Sequence, residues 1–275
     1  MTREALEALY QTHHRPEFLW PDPLVYARGW DDPADGEVAA LTAAAFAYGR
    51  VEKILEALGT VFEALGPRPA RALEATEPAA WLERFQGFSY RFHKGADVAL
   101  FLHLVAQARE RHGSLGELFR AADLGGDVGV ALARFAKAIL SGDARPILGD
   151  REVPPGHPVR HLLASPARGG AAKRLCLFLR WVARRDALDP GYWHGLVDPA
   201  RLVVPLDAHV ARVGRALGFT RRRANDWKTA REITAALARF DPADPVRFDF
   251  CLFRYGMGRY GPVDGKDGPR APRGS

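Results

Sequence analysis

Two residues at two helix starts could do chemistry together in this chain. Lys173 follows Gly169-Gly170 and opens a pattern in which Leu175, Phe178, Leu179 and Val182 recur at helical spacing, which predicts a lysine in the first turn of a helix beginning near the glycines. A cation there meets unpaired backbone amides and the positive end of the helix dipole. If the site is also desolvated, the amine loses its proton more readily and becomes a nucleophile. An exposed lysine would stand in the same place at a cost of about a few tenths of a kcal/mol. Asp207 lies 34 positions later, in Val203-Val204-Pro205-Leu206-Asp207-Ala208-His209-Val210. That segment predicts an apolar approach, a proline at the first helical position and an amphipathic helix through Leu217, with Asp207 in its first turn. A carboxylate so placed is stabilised as an anion, which serves helix capping as well as it serves to hold a developing cation in a neighbouring cleft.

The elements that must position this pair read as helices almost throughout, because apolar residues recur at three and four and alternating patterns are scarce. Glu4–Tyr10 is a short amphipathic helix. A proline-rich strap over 16–33 follows, with Trp20, Tyr26 and Trp30 as its anchors or, with more weight, as plain core aromatics. Asp35 caps a helix from about Glu37 to Tyr48, and after Gly49 another runs from Val51 to Leu65. A glycine between two helices lets backbone approach a ligand, and Tyr48 and Arg50 flank it as a stacking ring and a phosphate fork; a plain helix-helix turn has the same sequence. Further helices are expected at 78–85, 93–110, 114–121, 128–140 and 224–240, with a last one opened by Pro245. Gly87-Phe88-Ser89-Tyr90-Arg91-Phe92-His93-Lys94 interleaves aromatic and basic residues, which suits base stacking and phosphate binding or a packed loop. Residues 141–166 read as an irregular connector within a domain. The fold class is all-α, with residues 1–264 as one unit and 265–275 as a disordered tail.

Composition narrows the partners. The chain has 275 residues, a net charge of +6 and a sequence pI near 9.5, which suggests a polyanion, nucleic acid being the commonest. Arginine supplies 33 of the 39 basic residues, and many of these arginines read as solvated helix faces. No apolar run is long enough for a membrane span and no secretory leader is visible, so a cytoplasmic protein is expected. Cys176 and Cys251 sit in apolar helical patterns and are expected to be buried and inert, and no metal or other cofactor is implied. Gly256-Met257-Gly258-Arg259-Tyr260-Gly261 matches the dinucleotide fingerprint in letters only: it follows a helix and reads as a helix terminator.

Lys173 at a helix start, paired with Val204-Pro205-Leu206-Asp207-Ala208-His209-Val210, resembles the helix-hairpin-helix DNA glycosylase superfamily, whose signature is a catalytic lysine after a glycine-bearing hairpin and then an aspartate in a V-D-T-H-V-like segment. Lys173-Arg174-Leu175-Cys176-Leu177-Phe178-Leu179-Arg180-Trp181, Pro205–His209 and Asp226-Trp227-Lys228-Thr229-Ala230 resemble more closely an uncharacterised bacterial family related to that superfamily, over most of the chain. The likeness to known glycosylases covers mainly 38–90 and 163–217. Where the superfamily's hairpin reads L-P-G-V-G-x-K, this chain has Leu163-Ala164-Ser165-Pro166-Ala167-Arg168-Gly169-Gly170-Ala171-Ala172-Lys173. The wide Lys173–Asp207 spacing is similar to that of archaeal 8-oxoguanine glycosylases.

The resemblance implies a two-lobed helical fold with a central cleft and a helix-hairpin-helix-like element, in which the N- and C-terminal parts can share one lobe. It also implies base-excision repair of double-stranded damaged DNA by a nucleoid-associated monomer. Lys173 would attack the anomeric carbon of an oxidised purine nucleotide such as 8-oxoguanine, forming a Schiff base with lyase activity, and Asp207 would stabilise the oxocarbenium-like sugar. Tyr48, Gly49 and Arg50 would form one DNA-contacting loop and Tyr90 and Arg91 a second, with Gly169, Gly170, His209 and Arg212 at phosphates, His209 serving equally well as a structural hydrogen-bonder. A non-catalytic DNA-binding module on the same scaffold is the competing expectation.

Overall fold

The computed structural model describes residues 1–258; the 265–275 tail, and the end of the 1–264 unit with the last three letters of the glycine fingerprint, lie outside the described residues. The chain divides into two compact units, one formed by Met1–Trp20 with the chain from Pro166 onward, the other by Pro21–Ser165. In chain order, α1 (Arg3–His13) belongs to the first unit. The second holds α2 (Leu24–Ala27), α3 (Pro33–Phe46), α4 (Val51–Leu65), α5 (Pro69–Ala75), α6 (Pro78–Arg84), α7 (Gly95–His112), α8 (Leu115–Ala122), α9 (Val128–Leu140), α10 (Arg145–Leu148) and α11 (Val159–Leu162). The first unit resumes with α12 (Lys173–Ala183), α13 (Ala208–Ala216), α14 (Trp227–Ala238) and α15 (Asp249–Gly256). The protein is mostly helical, as the apolar spacing predicts.

In the second unit α3 is the central helix. From Asp35 to Phe46 every residue is buried, so it is enclosed on all sides and not amphipathic. Asp32, not Asp35, caps it, accepting the Ala34 N–H at 2.9 Å, with Pro33 at the first helical position. Asp35 turns inward to the Ala70 N–H at 2.8 Å and to Arg68, and Glu37 accepts the Leu115 and Gly116 N–H groups at the start of α8. The expected extended strap instead contains a 3-10 turn, Pro16–Phe18, and the short helix α2. Tyr26 stacks on Phe62 and Trp30 bonds the Tyr26 carbonyl, whereas Trp20 is 65% exposed and anchors nothing. Residues 89–94, expected as a loop running into the start of the 93–110 helix, form a hairpin of β1 (Ser89–Tyr90) and β2 (His93–Lys94), too short to leave a period in the sequence, and α7 begins only at Gly95. Residues 141–165 fold into the second unit through α10 and α11, and the chain passes to the first unit at Ser165–Pro166.

In the first unit α1 and α13 pack on α15, and buried charge ties them to α12. Arg180 binds Asp189 at 3.0 Å and Asp249 at 2.6 Å; Arg184 binds Asp244, Asp186 and Asp189; His14 Nε2 lies 2.9 Å from Asp186. Many arginines are exposed, as expected of solvated faces, but Arg109, Arg174, Arg180, Arg184 and Arg254 are buried. Burial opposes the Arg180 charge, but Asp189 and Asp249 outweigh it and its pKa is raised. Cys176 and Cys251 are buried free thiols whose pKa values burial pushes up, so neither is a nucleophile at neutral pH.

His13, 1% exposed in α1, has its pKa lowered to about 4, first by burial and then by Arg254 and Arg15. The unfolded chain therefore binds the extra proton between pH 6.5 and 4, and stability is lost as pH falls through that window. Unfolding in urea at pH 7 and pH 4.5 should show the wild type losing about 2–3 kcal/mol more than His13→Gln on acidification. Equal losses would show that His13 is not the source.

Candidate active site

Lys173 is the first residue of α12, and the helix starts after the glycines, not at them. Gly169 and Gly170 are held outside it, because Gly170 bridges Asp226 in antiparallel fashion and the Trp227 N–H donates to the Gly169 carbonyl at 2.9 Å. Ala172 then turns the chain into the helix with φ +49, a left-handed conformation that costs a non-glycine residue about 1–2 kcal/mol. That strain sits immediately before the lysine.

Asp207 is the N-cap of α13 and not a residue of its first turn. Its backbone is extended and its Oδ1 accepts the Val210 N–H at 2.8 Å. Pro205 consequently lies in the extended approach and not at the first helical position, and Val204 before it is fixed by a 3.0 Å bond to Thr234 Oγ1. One carboxylate oxygen thus caps, which leaves Oδ2 for other work. Lys173 Nζ stands 3.7 Å from it, with the two side chains 31% and 13% exposed. The lysine and aspartate converge on one spot that solvent reaches.

Behind this pair lies Asp249, at the start of α15 and 3% exposed. Its Oδ2 binds Arg180, while Oδ1 is buried without a hydrogen-bond partner. Burial raises its pKa to about 6, Arg180 works against that, and the charge of Asp207 adds to it. Arg180 follows Lys173 by two helical turns, so both project from one side of α12, toward Asp249 and Asp207 respectively.

His209, part-buried, and Arg212, exposed, both reach the end of α15. His209 Nδ1 lies 3.0 Å from the Gly256 carbonyl, and an Arg212 guanidinium nitrogen donates to the same oxygen. Both satisfy the C-terminal end of α15. Gly256 is needed there, since a Cβ would come within 3.0 Å of His209 and Val213; the first letter of the dinucleotide fingerprint is a packing glycine.

The remaining residues lie in the second unit. Gly49 has φ +108 and a built Cβ would meet the Tyr90 hydroxyl at 3.1 Å, so glycine is required between α3 and α4. Tyr48 is half-buried, its hydroxyl 2.5 Å from His93 Nδ1, and the Tyr90 hydroxyl donates to the Tyr48 carbonyl. Tyr90 is buried and therefore holds the loop rather than offering a stacking face. Arg50 and Arg91 are exposed, and Arg91, at φ +54 in the hairpin turn, carries its guanidinium over the Tyr48 ring. They line a cavity of about 630 Å³ with Lys53, Arg84 and Phe88.

A family model described as a protein of unknown function, DUF2400, matches residues 22–258. The chain belongs to the DUF2400 family. Neither the curated proteins nor the solved structures give a match to it. The matched stretch of this DUF2400 chain takes in Lys173 and Asp207 in the first unit and, separately, Tyr48 to Arg91 in the second. Among its described residues no group of histidine, cysteine and acidic side chains is placed to hold a metal, and no helix is long and apolar enough to cross a membrane.

Sequence reasoning missed Asp249, Lys53, Arg84 and Phe92 in this family member. Phe92, 49% exposed beside Arg91, was visible only as one ring in an alternating run, where the hairpin decides which ring is buried. Asp249 reads as an ordinary helix start, and nothing local marks it as buried against Arg180.

Proposed function

We propose that this DUF2400 protein is a DNA glycosylase with associated lyase activity that acts on an oxidised purine, 8-oxoguanine being the expected base, in the cytoplasm at the nucleoid. The observation that carries the reading is the 3.7 Å approach of Lys173 Nζ to Asp207 Oδ2 at a solvent-reached site. In the reaction the neutral Lys173 amine attacks C1′ of the damaged nucleotide. The glycosidic bond breaks, and its electron pair leaves with the base, which takes up a proton. Asp207 Oδ2 faces the positive charge that builds on the sugar and on the attacking nitrogen. The attached nitrogen then gives up a proton and the C1′–O4′ bond breaks with its electron pair and a proton going to O4′, which leaves a protonated Schiff base; abstraction of a C2′ proton expels the 3′ phosphate. The exposed arginines Arg50 and Arg91 supply phosphate contacts, and the basic chain as a whole supplies attraction to the duplex.

The test is reduction with borohydride in the presence of duplex containing 8-oxoguanine or an abasic site. A covalent protein–DNA adduct is expected; none from a folded protein would sink the reading. Asp207→Asn separates chemistry from capping. Asparagine caps as well as aspartate, so stability should stay within about 0.5 kcal/mol. Single-turnover base release should drop by about 10²-fold or more with the loss of the anion. Full activity in this variant would leave Asp207 a cap and nothing else.

A further inference from the structure

We propose that the loop Arg221–Asn225, together with Arg168 and Lys228, is a phosphate-binding surface for duplex DNA that seats the substrate at Lys173. The inference deepens the glycosylase reading and rests on it for the identity of the polyanion. Three features converge. First, the loop is held beside the segment that leads into Lys173, through the Gly170–Asp226 bridge and the bond from the Trp227 N–H to Gly169. Second, it is rigid. Arg215, from the last turn of α13, gathers the carbonyls of Arg222, Arg223 and Ala224 and the Asn225 side chain on one guanidinium. Thr229 Oγ1 donates to the Ala224 carbonyl at 2.7 Å, and Asp226 caps α14 through the Thr229 N–H. Third, its charge is divided between two roles. Arg222 is committed inward, to Asp226 at 2.5 Å and to Thr229. Arg221 and Arg223, on either side of it, are exposed, as are Arg168 and Lys228 flanking the bridge.

The acids of this neighbourhood do not neutralise the surface. Asp226 is taken by Arg222 and the helix cap, and Glu232 accepts from Thr220. An ordered backbone thus displays several uncompensated cations beside the segment, Gly169–Gly170, that leads into the reactive lysine. A guanidinium fork fits two oxygens of one phosphate, and a rigid base lowers the ordering cost of making that contact. The chemistry selects a repeating phosphate backbone and does not distinguish damaged from undamaged sequence.

The experiment compares full-length wild type, Arg221→Ala/Arg223→Ala, and Arg134→Ala/Lys137→Ala, whose exposed cations lie on α9 in the other unit. Binding to a labelled duplex is measured by anisotropy from 50 to 200 mM salt, with and without an abasic site. Each phosphate contact contributes about 0.9 to the slope of log K against log salt, so the loop variant should be shallower by about 2 and bind both duplexes roughly tenfold or more weaker. Both substitutions are at exposed side chains and the fold should be retained, which circular dichroism verifies. An affinity and slope equal to wild type, or a loss no greater than in the α9 variant, overturns the proposal, as does a wild type that binds no duplex. Duplex binding that depends on the loop without any borohydride adduct would uphold the surface and sink the glycosylase reading. An adduct with an unchanged loop variant would do the reverse.

Discussion

On the proposed function, Lys173→Gln is expected to abolish the borohydride-trapped adduct and to lower strand cleavage at 8-oxoguanine or abasic sites by about three orders of magnitude or more. A Schiff base requires a primary amine, and glutamine keeps the approximate length and polarity of lysine while removing that amine. The fold has little stake in the charge. Lys173 is partly exposed at the first position of α12, where a cation is mildly disfavoured by the dipole, and its pairing with Asp207 is worth at most about 1 kcal/mol at such a site. The variant should therefore unfold within about 1 kcal/mol of wild type. Glycosidic cleavage by water, with Asp207 still in place, is the residual activity to measure beside the adduct. If Lys173→Gln traps as much DNA as wild type, another amine is the nucleophile and the convergence with Asp207 serves structure alone.

Much of the frame was legible in the sequence because its helices carry local signals. Val51–Leu65 and 128–140 have the limits that glycine and the apolar spacing predict, and Lys173 stands at its helix start. Boundaries slipped where a side chain could cap from more than one place: Asp32 and Asp35 are both plausible before α3, and tertiary contact with Ala70 decides between them. The hairpin at 89–94 was hidden because two-residue strands have no period to read. Lys173 and Asp207 were singled out by resemblance and by their helix starts; their 3.7 Å approach depends on how α12 and α13 pack, which no local pattern encodes. The largest loss of information concerns charge. An arginine on a helix looks the same in sequence whether it faces water or two buried carboxylates, and Arg180 and Arg184 are the second kind.

That difference makes Arg180→Met the substitution with the largest expected effect on stability. Methionine replaces the apolar stem at similar reach, so the cost is electrostatic: Asp189 and Asp249 lose the guanidinium they share, and Asp249 already holds one unpartnered oxygen. Removing one partner of a buried ion cluster costs about 3–5 kcal/mol, far more than the surface pairs elsewhere in the chain. The pH dependence carries the sign. Asp249 has a folded pKa raised to about 6 from an ordinary 3.8, so the folded state takes up its proton first and stability falls as pH rises through 6. Without Arg180 that pKa rises further, and the deficit of Arg180→Met should be largest near pH 7 and shrink toward pH 5. Adding Asp249→Asn should recover part of the loss, since a neutral amide is cheaper to bury than an orphaned carboxylate. Urea unfolding of the two single variants and the double variant at both pH values gives the coupling directly. Additive effects with no pH dependence would mean that Arg180 acts through packing alone. Non-additive, pH-dependent effects would show that one charge network holds α12 against α15, and so fixes the helix from which Lys173 reaches Asp207.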